Sequence, residues 1–83
     1  MSTKAKRIKP GLRFTNGGTR LTVLCFTETA NTNLALLFRP CDGFFITVRN
    51  LTKGQGVYFW DWGHYYDDIH KAAHDYELRK KDL

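Results

Sequence analysis

Val57-Tyr58-Phe59-Trp60-Asp61-Trp62-Gly63-His64-Tyr65-Tyr66 holds six of the chain's twelve aromatic residues. On an extended backbone Tyr58, Trp60 and Trp62 point one way, and Val57, Phe59 and Asp61 point the other. Gly63 is read as the end of a strand over Val57 to Trp62. Beyond it, Tyr65-Tyr66-Asp67-Asp68 opens a helix over about residues 67–80, with Asp67 as N-cap and Asp68 at the positive end of the dipole. Ile69, Ala72, Ala73 and Tyr76 recur at i, i+3, i+4 and i+7 and make an apolar stripe. His70, Lys71, His74, Asp75 and Glu77 fall on the opposite side, and Arg79-Lys80-Lys81 suits the negative C-terminal end. Burial of so much aromatic area requires a second layer, so the Tyr58-Trp60-Trp62 face is expected beneath this helix, with Tyr58 and Trp60 as the core wall and Trp62, Tyr65 and Tyr66 partly exposed at the junction.

Upstream, the pattern is of short strands and turns. Leu12-Arg13-Phe14 leads into Asn16-Gly17-Gly18, residues that tolerate positive φ in a tight turn. Arg20 to Thr27, Leu34 to Arg39 and Phe44 to Leu51 are rich in apolar and β-branched residues and read as strands. Glu28 to Asn33 is a polar loop, Pro40-Cys41-Asp42-Gly43 a type I turn, and Thr52 to Gly56 a flexible hairpin loop. The class is α+β: a twisted antiparallel sheet of four or five strands with one C-terminal helix packed on one face. Residues 1–11 form a basic flexible arm punctuated by Pro10-Gly11, and residues 12–83 a single domain.

The 83 residues carry a formal net charge of +5, unevenly placed. Lys4, Lys6, Arg7, Lys9 and Arg13 supply all of it within residues 1–13, where there is no acid; the remainder is balanced. A basic arm is suited to phosphate backbones or to an acidic partner surface. Arg39 and Arg49, with Arg20 and Lys53, sit at strand ends and outer faces and extend that basic character. No apolar run approaches the roughly 18 residues of a membrane span, and no secretory signal pattern opens the sequence. The expectation is a cytoplasmic protein with Cys25 and Cys41 as reduced thiols, packed as small hydrophobes.

Catalytic signatures are missing: there is no nucleophile-elbow, phosphate-loop or dinucleotide-binding pattern. His70 and His74 are spaced as a zinc pair on a helix, and His64 is nearby, yet the metalloprotease glutamate is absent. The chain is therefore read as a non-enzyme without cofactor or metal. Its candidate contact residues are the basic set Lys4, Lys6, Arg7, Lys9, Arg13, Arg39 and Arg49, together with Trp62, His64, Tyr65 and Tyr66 at the strand-to-helix junction.

The segment from Trp62 to Arg79, with Trp-Gly, His-Tyr, a helix containing Ala-Ala and an Asp-Tyr pair, resembles the C-terminal ends of small accessory proteins of phages and mobile elements. Val48-Arg49-Asn50-Leu51 fits the same resemblance, which carries no catalytic residues. It implies a protein that binds and blocks a host protein, as anti-CRISPR and other anti-defence inhibitors do. The expected function is that of an inhibitor or adaptor acting by protein–protein contact on a host nucleic-acid-handling machine. The alternative is a small basic module that binds an RNA or DNA backbone through the arm and exposed Arg and aromatic residues.

Overall fold

Five strands and one helix follow in order along the chain in the computed structural model, which describes residues 8–83. β1 (Arg13–Asn16), β2 (Thr19–Glu28), β3 (Asn33–Arg39), β4 (Phe44–Gly54) and β5 (Val57–Tyr66) form one antiparallel sheet. Neighbours in sequence are neighbours in the sheet. α1 (Ile69–Lys80) follows and packs on one face, so the α+β class read from the sequence holds, with five strands.

Turn chemistry sets the register. Gly17-Gly18 and Gln55-Gly56 are two-residue loops with both residues at positive φ, closing on the pairs Asn16–Thr19 and Gly54–Val57. Loops of this kind match the right-handed twist of the strands they join. The stretch expected as a loop from Thr52 is therefore strand as far as Gly54. Between β3 and β4, Asp42 Oδ1 accepts from the Arg39 Nε and the Phe44 N–H, and Gly43 at positive φ completes the turn.

Three bulges bend the sheet. Leu24 is the extra residue in β2, Asn50 lies in the second irregularity, on β4, and Trp62-Gly63 stands opposite Val48 on β5. Asn50 and Trp62 both adopt positive φ, 56° and 53°. A bulge kinks its strand and adds twist, and the sum here curls the sheet until β1 lies beside β5. Phe14 stacks on Tyr58 at a ring separation of 4.2 Å, and Asn16 Nδ2 donates to the Tyr58 carbonyl at 2.7 Å.

Curling gives the sheet two cores. The inner face buries Phe14, Leu21, Val23, Leu37, Ile46 and Tyr58, among others, without any helix. The outer face buries Leu34 and Leu36 against Ala72 and Tyr76 of α1, and the Tyr76 hydroxyl hydrogen-bonds Thr27 Oγ1 at 2.7 Å. The expectation that Tyr58 and Trp60 lie beneath the helix is thus corrected, while Trp62 is exposed as expected of the junction. Tyr58 is core, but on the face away from α1. Trp60 is half-buried against the same inner cluster, and Trp62 is exposed, because the bulge after Asp61 breaks the strict alternation.

The same bulge lets β5 continue through Gly63, so Tyr65 and Tyr66 belong to the strand rather than to the opening of the helix. Asp68, not Asp67, is the N-cap, its carboxylate accepting from the His70 and Lys71 N–H groups. That backbone bonding holds the Asp68 carboxyl below the ordinary carboxylate range. Ile69 and Ala73 are exposed; the sheet-facing stripe of α1 is Ala72, Asp75, Tyr76 and Arg79. Cys25 packs against the outer cluster, whereas Cys41 is exposed in its turn and packs against no core; both are free thiols. Of the arm, residues 1–7 lie outside the described residues. Ile8 packs against the inner cluster, and the Gly11 N–H donates to the Val23 carbonyl. Among the described residues no helix is long and apolar enough to cross a membrane.

Candidate functional site

Where α1 crosses β4 and β5, a polar network replaces apolar packing. Thr47, fully buried in β4, donates from Oγ1 to Asp75 Oδ2 at 2.6 Å. The same carboxylate oxygen accepts from His64 Nδ1 at 3.0 Å, which places the imidazole proton on that nitrogen. Arg79 Nη1 donates to both the carbonyl and the hydroxyl oxygen of Thr47, each at 3.0 Å, and Nη2 donates to the Trp62 carbonyl at 2.7 Å. The buried hydroxyl is therefore satisfied as donor and as acceptor.

Electrostatics follow from this geometry. Burial pushes the Asp75 carboxyl upward, but the hydrogen bonds from Thr47 and His64 outweigh it and hold the group below its ordinary range. Tyr66 is pushed up, first by burial and then by the neighbouring Asp75 charge. Burial pulls the Arg79 guanidinium down; Asp75 opposes that shift, and Arg49 nearby reinforces it.

The network fixes the backbone at Trp62. A bulky L-residue in the left-handed region is strained, and the bulge and the Arg79 hydrogen bond to its carbonyl are what accompany it there. The ring is nevertheless 74% exposed. On the outer face of β5, Phe59 and Val57 are 53% and 58% exposed. Phe59 lies over Gly54, where an added Cβ would meet its ring at 3.2 Å. Arg49, on β4, stands opposite Asp61 in the register and so shares the outer face with Phe59. The exposed Val57 and Phe59 thus lie beside the half-buried Arg49 on the outer face, with the exposed Trp62 at the bulge that follows.

Of the residues singled out from the sequence, Arg49, Trp62, His64 and Tyr66 are brought together here. Arg39 and Tyr65 are not: Arg39 is paired with Asp42 at 2.8 Å, and its guanidinium lies 5.5 Å from the Tyr65 ring. These two, with Trp60 and Ile46, border a separate cavity of about 170 Å³ at the open end of the inner face. Arg13 lines another cleft, of about 360 Å³, with Arg20 at the β1 end of the sheet. Lys9 is exposed, and Lys4, Lys6 and Arg7 lie outside the described residues. His70 and His74 are exposed on α1, and among the described residues no group of three His, Cys, Asp or Glu is placed to hold a metal ion.

Sequence reasoning missed Thr47, Asp75, Arg79 and the outward Val57-Phe59 pair. Asp75 and Arg79 carried a usable signal, since Ala72, Asp75, Tyr76 and Arg79 also recur at i, i+3, i+4 and i+7. Compared with protein-family models, with curated proteins and with solved structures, the chain matches none.

Proposed function

We propose that the protein is a non-catalytic binding module whose contact surface is the outer face of β5 around Trp62, and that it acts by covering a surface of a protein partner. The observation that carries this reading is Trp62 itself. Its ring is three-quarters exposed, on a strained backbone whose carbonyl is hydrogen-bonded to Arg79. Strain of this kind concentrates at functional positions, and a rigidly presented Trp beside Arg and Phe has the composition of an interface hot spot. In the phage or mobile-element setting that the C-terminal segment resembles, the role is that of an inhibitor or adaptor on a host nucleic-acid-handling machine. A second reading, contact with a nucleic-acid backbone, draws support from Arg13 and Arg20, which share the cleft at the β1 end.

Trp62→Gly tests the first reading without sacrificing the fold. Glycine is at ease at positive φ, and little buried area is lost, so stability is expected to stay level or rise by up to ~1 kcal/mol. Wild-type protein used as bait in lysate of the source cells should retain a defined partner that Trp62→Gly releases. Equal capture by both would overturn the proposal.

A further inference from the structure

Among the described residues, one buried side-chain nitrogen or oxygen lacks a hydrogen-bond partner: Arg49 Nε. The guanidinium also takes part in no ion pair among those residues. Asp61, the carboxylate across from it in the register, accepts instead from Asn50 Nδ2 at 3.2 Å. Arg79, close enough to repel it, is committed to the Thr47 and Trp62 oxygens. A buried guanidinium donor left unmade is unfavourable, and folded proteins rarely keep one without a use. The fork presents paired N–H donors, which match an oxyanion in a planar, bidentate contact.

Position narrows the oxyanion. Beside Arg49 on the outer face lies the exposed Phe59, with Val57 beyond and the exposed Trp62 at the neighbouring bulge, rather than further free cations. The Asp61 carboxylate beside it repels a densely charged polyanion but accommodates one carboxylate held by the fork. Resting on the reading of this face as a protein contact surface, we infer that Arg49 is the receptor for a single carboxylate of the partner, carried by an acidic peptide segment with apolar side chains on either side. Those side chains lie against Phe59 and Trp62, and the carboxylate meets the terminal nitrogens of the guanidinium, which has no ion-pair partner among the described residues.

The test selects from a library of random short peptides with the full chain as bait, then measures the best peptide against variants. Enriched sequences should carry Asp or Glu beside aliphatic or aromatic residues. Arg49→Gln should weaken that peptide at least about tenfold, and Arg49→Lys, which keeps the charge but loses the fork, should also weaken it. Thermal melts of Arg49→Met should give a Tm no lower than wild type, since a buried N–H donor without a partner is being removed. A clear fall in that Tm would make Arg49 a structural residue and overturn the inference. Enrichment of apolar peptides without an acid would also overturn it, while leaving the contact surface standing. No enrichment at all, or displacement of the peptides by a single-stranded thymidine oligonucleotide, would overturn both readings, the latter in favour of nucleic acid.

Discussion

Asp75 shows how much one side chain can organise. It receives the buried Thr47 hydroxyl and the His64 imidazole on a single oxygen, and its charge steadies Arg79, which in turn holds the Trp62 carbonyl. Because its folded pKa lies below the unfolded one, the stability it adds is present above the ordinary carboxylate pKa. It is lost as the pH falls through the depressed folded value. Asp75→Asn should therefore lower stability by about 1–3 kcal/mol at neutral pH, the range for a charged hydrogen-bond partner. The loss should begin to shrink below about pH 4, where the unfolded chain's carboxyl becomes protonated, and vanish as the pH falls through the depressed folded value. Paired thermal melts of the two proteins from neutral to acid pH would show the gap closing; a gap constant with pH would contradict this account.

The elements themselves were largely legible, and the departures have physical causes. Alternation and turn residues located β2 to β5, left β1 open in a count of four or five strands, and placed a helix after them, because those signals are local. Gly63 misled, since a glycine inside a strand pattern also marks a bulge, and here it allows β5 to run on to Tyr66. The docked stripe of α1 was hidden because half of it is polar: Asp75 and Arg79 occupy positions that an apolar pattern does not count. The network they complete depends on Thr47, twenty-eight residues before Asp75, a pairing that no local pattern encodes. With few apolar contacts to hold it, α1 should be sensitive at its start. Asp68→Ala removes the acceptor for the His70 and Lys71 N–H groups and should cost about 1 kcal/mol, visible as a lower Tm and reduced helical circular dichroism.

At the scale of the whole molecule, a simple meander manages both of its faces. One is covered by the helix, and the other by the sheet's own curvature, so each strand except the short β1 contributes side chains to two separate cores. That economy suits a short chain, which has little apolar area to spare. It also leaves the outer surface of β5 beyond the helix uncovered, where Val57 and Phe59 lie exposed, with Trp62 exposed at the bulge beside them. The seam where Phe14 meets Tyr58 has a further consequence, one for the order of events in time. Four hairpins can each form from nearby residues, but the seam joins positions 14 and 58 and must wait for the intervening strands to curl. The seam is therefore expected to close after the folding barrier, as a latch. Phe14→Leu should lower stability by about 1 kcal/mol, and in stopped-flow measurements that loss should appear as faster unfolding with the folding rate nearly unchanged. Slower folding would place the seam in the nucleus instead. The lifetime of the native state is then governed by where the first strand meets the last.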